Sequence, residues 1–341
     1  MLDGSEKMKR ITKTNATPTN SLETSELAVE IPSLSRKEKF KRILSKLSQQ
    51  KLLQFMALLG LIWMIIFNYL PMYGVIIAFK EFNIIYPISE APWVGLQHFI
   101  EFVTDEDFLI VMKNTLGISF LKLIIGFPLP IIFALLLNEL TSLKFKRMVQ
   151  TISYLPHFLS WVVLGGILTS WLADTGLIND ILVHLGVIEE RTNFLADPKY
   201  FWGIVVISDL WKELGWSAII YLAAIVGVSP ELYEAAIIDG ANRFQRAIHV
   251  TLPSIRPTIT ILFILAVGGI MNSNFDQILV LRNVLNESAS NVIDIYVYHE
   301  GILNARYSYS AAVGLFKSVI NFILLLAANK VTKKLSGTSL F

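Results

Sequence analysis

Residues 231–253 read ELYEAAIIDGANRFQRAIHVTLP, an amphipathic island of carboxylates, arginines and alanines in a chain otherwise written in Leu, Ile, Val and Phe. Ser229-Pro230 ahead of it is a helix start, with a hydroxyl to cap and a proline suited to the first turn. Glu231 and Glu234 then suit the positive end of the helix dipole. Gly240 supplies the left-handed conformation that closes such a helix. A second short helix is predicted over 242–250, stopped by Thr251-Leu252-Pro253. The stretch is an elbow of two helices hinged at one glycine, and its meaning depends on what surrounds it.

Outside the elbow the chain is apolar. Of its 341 residues 54% are hydrophobic and 16% charged, against about a quarter charged in soluble domains, so most of it belongs in lipid. A window of about 19 to 20 residues, enough to cross a hydrocarbon core of roughly 30 Å, marks six spans: 52–73 (extending towards 79), 114–137, 152–172, 201–228, 255–271 and 310–328. The third is interrupted by Pro156, His157 and Gly165-Gly166, breakers that neighbouring helices can accommodate. The expected fold is all-α, a polytopic membrane protein with six transmembrane helices over 52–335 and a short tail, 336–341.

Lys and Arg placement orients the spans. Arg36, Lys37, Lys39, Lys41, Arg42, Lys46 and Lys51 precede the first, Lys144, Lys146 and Arg147 join the second to the third, and Lys330, Lys333 and Lys334 follow the last. The alternate connections are acidic or mixed, with Glu101, Asp105, Glu106 and Asp107 after the first span and Asp174, Asp180, Glu189 and Glu190 after the third. The positive-inside rule therefore puts both termini, and the elbow at 229–254, in the cytoplasm. Residues 1–35, rich in Thr, Ser, Asn and Glu, have the composition of a disordered tail, and no apolar core before Leu52 marks a cleavable signal. Over 36–51, Phe40, Ile43, Leu44 and Leu47 recur at helical spacing among lysines, as in a helix lying on an anionic leaflet.

The elbow has the composition of an interface. Ala235 and Ala236 permit close approach of another surface, Leu232, Ile238, Phe244 and Ile248 offer apolar grip, and Glu234 a charge for a basic partner. The plain alternative is an elbow packed under its own bundle. A DNA-binding helix-turn-helix is disfavoured, since Arg243, Arg246 and Arg256 are offset by Glu231, Glu234 and Asp239, so no nucleic acid is expected as a partner.

Glu234-Ala235-Ala236, three residues, Gly240, nine residues, Val250, one residue and Leu252-Pro253 together resemble the EAA loop of permease subunits in binding-protein-dependent ABC importers, with Val250 where that family usually has isoleucine. The stretches ALLLNEL (134–140), YLPHFLSWV (154–162), DLWKELGW (209–216) and AVGLFKSVINFILLLAANK (312–330) are similar to the carbohydrate branch, particularly permeases for oligosaccharides derived from complex polysaccharides. The resemblance covers roughly 50–335 and implies a type I importer permease fold. It also implies a cytoplasmic coupling helix that sits in a cleft of an ATP-hydrolysing subunit through Glu234, Ala235, Ala236, Gly240, Leu252 and Pro253. The partners it implies are a second permease, two ATP-binding subunits and an extracytoplasmic solute-binding protein; ATP and Mg belong to the ATPase subunits, with no cofactor in this chain. A non-sugar cargo, or a secondary transporter or channel, are the competing readings.

Ionisable residues at a bilayer centre cost about 2.5 to 3.5 kcal/mol on insertion scales, so those present should face protein or a watery path. Asp209, Glu213, Trp216 and Ile220 share one face of the fourth span, with Lys212 beside them. Asp209 lies about 29 Å from Val228 at 1.5 Å per residue, which places the cluster in the outer half. Carboxylates, an ammonium and the indoles of Trp211 and Trp216 suit a sugar, whose hydroxyls need polar partners and whose ring face stacks on aromatics, and Tyr221 could stack too. Asn272, Asn274 and Asp276 at the outer end of the fifth span could add polar contacts. The expected substrate path is thus Asp209, Lys212, Glu213, Trp216, Asn272 and Asn274; the alternative is that Asp209 and Lys212 merely neutralise each other. Lys122 and Lys317 would favour an anionic sugar unless they snorkel or pair.

Resident chemistry is not expected. The chain has no cysteine, and His299-Glu300 lacks the second histidine of a zinc-protease motif because Leu303 stands there. Neither a nucleophile elbow nor a phosphate-binding Gly-Lys-Ser/Thr loop occurs, so the chain carries no ATPase site and no catalytic or metal residues are assigned.

Overall fold

The computed structural model describes Lys37, residues 50–85, 87–337 and 339–340; the expected tail at 1–35 and most of the basic helix at 36–51 lie outside the described residues. Two compact units divide the chain, Met1–Tyr69 and Leu70–Phe341. In the first, helix α1 (Lys51–Met64) runs into a π-helical turn, Ile65–Tyr69, and neither buries a residue. A helix that is apolar on every face and buries none of them is one whose solvent is lipid.

The second unit holds the rest. Its helices are α2 (Gln97–Thr104), α3 (Phe108–Leu121), α4 (Pro128–Asn138), α5 (Leu143–Tyr154), α6 (Trp161–Leu172), α7 (Leu177–His184), α8 (Pro198–Val226), α9 (Pro230–Ile238), α10 (Arg243–Ser254), α11 (Arg256–Gly268), α12 (Phe275–Leu281), α13 (Ile293–Tyr298) and α14 (Tyr307–Ser336). Among the described residues there is no strand, only an isolated antiparallel bridge between Lys80 and Trp93. Four stretches are long and apolar enough to cross a membrane: Lys51–Phe79, Phe108–Asn138, Trp161–His184 and Tyr307–Leu335. Two more pass as bent pairs, α8 with α9 at 74° and α10 with α11 at 65°, which gives up to six spans. Both bends fall at the two ends of the elbow.

Three breaks shape the bundle. Pro128 withholds an N–H from the carbonyl one turn earlier, and the helix widens into the π-turn Lys122–Gly126 between α3 and α4. The third stretch is not the single helix 152–172 expected from hydropathy. Its α5 stops at Tyr154, a 3-10 turn Leu155–Phe158 carries Pro156, and Ser160 in extended conformation starts α6 by accepting the Val163 N–H at 3.3 Å. The third break lies in the elbow: instead of ending near Val250, helix α10 continues through Pro253, because the π-turn Ala247–Thr251 absorbs the missing donor, and it stops at Ile255.

Helix α8 is the axis of the unit, packing on α4 and α5 along its length and also touching α3 and α11. Where α5 crosses it, a Cβ on Gly215 would overlap the Ser153 carbonyl, so only glycine lets the two backbones meet. Helix α14 closes the other side against α11, α2 and the 3-10 helix Leu70–Phe79. The apolar core falls into three clusters. One is built around Phe201, Val205 and Ile278, another around Phe102, Met271 and Tyr309, and the third around Ala134, Ala218 and Ile225.

Hydropathy passes over 275–303 as an outer loop, yet Ile278, Leu281, Val292 and Ile295 are core residues. Asn114 donates to the carbonyls of Ser288 at 2.9 Å and Asn291 at 3.1 Å, Trp202 Nε1 donates to Ala289 O at 3.1 Å, and the Ile293 N–H donates to Thr115 Oγ1 at 2.8 Å. Side chains of α3 and α8 thus satisfy an irregular backbone that could not stand in lipid alone.

Candidate functional site

Asp209 and Lys212 of α8 do not neutralise each other. Asp209 forms an ion pair with Lys122 of the π-turn at 3.1 Å and accepts from Asn274 Nδ2 at 3.2 Å. Lys122 Nζ also donates to Gln277 Oε1 at 2.8 Å, and Gln277 Nε2 donates to Val205 O at 2.7 Å and Ser208 Oγ at 2.9 Å. One network therefore joins the π-turn, the middle of α8 and the start of α12. Asn274 enters it from a left-handed backbone (φ 61°), a conformation that asparagine tolerates better than most residues. Lys122 is paired, as is Lys317, which bonds to Asp294.

Lys212 is only 5% exposed. Its ammonium donates to the carbonyls of His157 at 2.5 Å, Leu159 at 2.9 Å and Pro156 at 3.4 Å, all on the break between α5 and α6, with Glu213 at 3.6 Å and the Trp161 ring at 5.7 Å. It satisfies the irregular backbone of that break. The turn around Pro156 lacks helical donors, and its carbonyls need another partner.

Glu213 and Trp216 share a partner that sequence spacing did not bring out. His157 Nδ1 lies 2.8 Å from Glu213 Oε2, and the imidazole stacks on the Trp216 indole with centroids 4.2 Å apart and planes 4° apart, while Phe158 meets the same indole edge-on at 5.8 Å. Trp216, held in one orientation, remains 43% exposed. It lines a cavity of about 390 Å³ with Phe127, Pro130, Tyr221 and Leu262. A second cavity of about 230 Å³ shares Gly126 and Phe127 with the first and adds Ser119, Lys122 and Asn272. Of the six expected path residues, then, Asp209 and Asn274 meet directly, Glu213 and Trp216 meet through His157, Lys212 pairs with Glu213 and Asn272 lines the second cavity. The two adjoining cavities offer a flat aromatic face next to polar donors, an arrangement suited to a polyhydroxylated ring.

The elbow forms as two helices about one glycine. Gly240 has φ 78°, its N–H donates to Ile237 O at 3.0 Å and the Ala241 N–H donates to Ala236 O at 2.9 Å, the paired bonds of a Schellman stop. Asn242 caps α10 in a reciprocal box with Gln245 at 2.9 and 2.8 Å. Inside the bend, Tyr233 Oη lies 2.9 Å from Thr251 Oγ1, and Leu252 packs on the third core cluster. Glu234, Ala235, Gly240 and Pro253 are exposed and Ala236 half-buried. Ile238 at 85% and Phe244 at 73% exposure leave the outer face of the elbow without a partner among the described residues.

The profile of the family described as "Binding-protein-dependent transport system inner membrane component" matches residues 126–337, more than half of the chain. The chain belongs to that family. This permease is 43% identical over 307 residues to the Polygalacturonan/rhamnogalacturonan transport system permease protein YteP of Bacillus subtilis (strain 168), covering 90% of this chain and 95% of that one. One solved structure is described as a bacterial ABC transporter involved in the import of the acidic polysaccharide alginate. It contains a chain that superposes with a TM-score of 0.79 at 38% identity, covering 86% of this chain and 99% of the other. A second, of the bacterial alginate ABC transporter in complex with alginate pentasaccharide-bound periplasmic protein, matches with a TM-score of 0.79 at 37% identity over 88% of this chain and 100% of the other. The expected all-α permease fold stands, and the chain is the membrane component of a transporter and not a catalytic enzyme.

Proposed function

We propose that this permease forms one half of an ATP-driven path that carries oligosaccharide fragments of a polysaccharide into the cytoplasm. The observation that carries the reading is the match, in sequence and in fold over 86% of this chain, to a chain of an alginate importer. The relative named for polygalacturonan and rhamnogalacturonan transport points to the same class of cargo. In this reading a solute-binding protein delivers the sugar from outside, a second permease completes the path, and two cytoplasmic ATPase subunits hold ATP and Mg. The termini and the elbow face the cytoplasm, in keeping with the Lys and Arg distribution.

The elbow is the link to the motor. Glu234, Ala235, Ala236 and Gly240 shape a surface that an ATPase cleft can hold, Ile238 and Phe244 fill that cleft, and Leu252 and Pro253 carry its movement into α11. Closing of the ATPases swings the elbow and tilts α8 and α11, the two helices that leave it at sharp bends, so the cavities at Trp216 and Lys122 alternate between the two sides. The test is co-purification followed by reconstitution: the complex in lipid vesicles should raise its ATP turnover when oligosaccharide-loaded binding protein is added. Turnover and uptake indifferent to every oligosaccharide, or uptake that persists on an ion gradient without ATP, would overturn the reading.

A further inference from the structure

Ser119 on α3 is 5% exposed, and its hydroxyl is buried without a hydrogen-bond partner. Its neighbours bond back to the carbonyl four residues earlier: Thr115, one turn before it, donates to Val111 O at 2.7 Å, and Ser208 on α8 donates to Ile204 O at 2.6 Å. Ser119 forgoes that bond, and a buried hydroxyl with no partner costs free energy that an incoming acceptor would recover.

The residue lines the 230 Å³ cavity with Lys122 and Asn272. Two of the three ammonium donors of Lys122 are committed, to Gln277 at 2.8 Å and Asp209 at 3.1 Å, which leaves one. The Asn272 carboxamide is exposed and has no hydrogen-bond partner among the described residues. Every polar side chain on this wall can donate, one carries positive charge, and no carboxylate lines the cavity. Such a set selects an anionic oxygen acceptor. Lys122 is also mid-span, about 24 Å from Asn138 and about 21 Å from Phe108 at 1.5 Å per residue, where an ion needs a protein partner to cross.

We propose that Ser119, Lys122 and Asn272 form a carboxylate subsite, which holds a uronate unit of the passing chain while the neighbouring ring lies on Trp216 in the adjoining cavity. Asp209 tempers the attraction by sharing Lys122, as a transport site requires, since the anion must leave as readily as it enters. This assignment rests on the reading of the chain as an oligosaccharide permease and adds charge selectivity to it.

The test uses the whole transporter, with its binding protein and ATPases, in lipid vesicles. Uptake of acidic oligosaccharides from polygalacturonan and from alginate is compared with uptake of their fully methyl-esterified forms, which keep the rings and lose the charge. The wild type should favour the acids, and Ser119→Ala should cut the acid-to-ester ratio by about tenfold. The paired change Lys122→Gln with Asp209→Asn, which removes both charges and keeps hydrogen-bonding groups, should do the same even if either single change fails to assemble. The binding protein is common to every arm, so its own preference cancels in the comparison of ratios. Sugar uptake in which the variants keep the wild-type ratio overturns the subsite and leaves the permease reading standing. Failure of any oligosaccharide to drive turnover in the wild type overturns the permease reading, and the subsite with it.

Discussion

Replacing Gly240 isolates the backbone conformation of the elbow from every other interaction. Its φ of 78° is left-handed, and a Cβ built there meets no atom within 4 Å, so no clash contributes. What remains is the dihedral penalty of an L-residue in that region, about 1 to 2 kcal/mol for alanine and more for a β-branched side chain. Asparagine, which takes this conformation at helix ends, should cost least. An energy of about 1 to 2 kcal/mol changes the ratio of bent to unbent elbow by a factor of about 5 to 30. The series Gly240→Asn, Gly240→Ala and Gly240→Val should therefore grade the coupling of ATP turnover to sugar uptake in that order in reconstituted transporter. Valine should leave ATPase activity largely uncoupled, while membrane insertion of the permease is unchanged. Equal coupling in the asparagine and valine variants would refute the argument, because side-chain presence and not backbone conformation would then be the variable.

Four further outcomes are expected. Gly215→Leu should push α5 from α8 at the Ser153 carbonyl and destabilise the permease by about 1 to 3 kcal/mol, read as a lower unfolding temperature in detergent. Asp209→Ala should cost about 3 kcal/mol or more by leaving Lys122 without its counter-ion, and adding Lys122→Gln should recover most of that loss in the same assay. Trp216→Ala should raise the sugar concentration needed for half-maximal uptake while Trp216→Phe retains most function, and His157→Ala should resemble a mild form of the former because the indole loses its stacked support. Burial raises the Asp107 carboxyl above its ordinary 3.8, helped by Asp105, Glu287, Glu106 and Glu300, so the folded state holds that proton more tightly than the unfolded chain. Its contribution to stability is complete below 3.8 and lost as pH rises through the folded value; Asp107→Asn should flatten thermal stability against pH in that window.

The elbow was the most legible part of the chain, because its signals are local. A proline at a helix start and a glycine at its end depend on neighbouring residues only, and each appears where those residues stand, although the Ser229 hydroxyl makes no capping bond. Its far end was misjudged by a few residues, since a π-turn can carry Pro253 where an α-turn cannot. Hydropathy located the spans because lipid demands length and apolarity whatever the packing. It ran 152–172 together although Pro156 already marked the break, and it passed over 275–303, whose backbone is buried and served by Asn114 from another helix. Helical spacing put Asp209, Glu213 and Trp216 on one face, but their partners Lys122, His157 and Asn274 come from elements distant in sequence, which spacing along one helix does not reveal.

The ammonium of Lys212 acts as a plug for the carbonyls around Pro156, and that constrains how the cargo of such a permease can be altered. A designer looking for charge in the fourth span would choose Lys212 first, yet changing it would open the broken helix and leave its oxygens bare in hydrocarbon. On the proposed path, preference for one sugar over another is better sought one turn further on, at the tryptophan, and in the adjoining cavity at the serine. The tryptophan and the serine hold no part of the scaffold's ion pairs, whereas Lys122 is varied only together with Asp209.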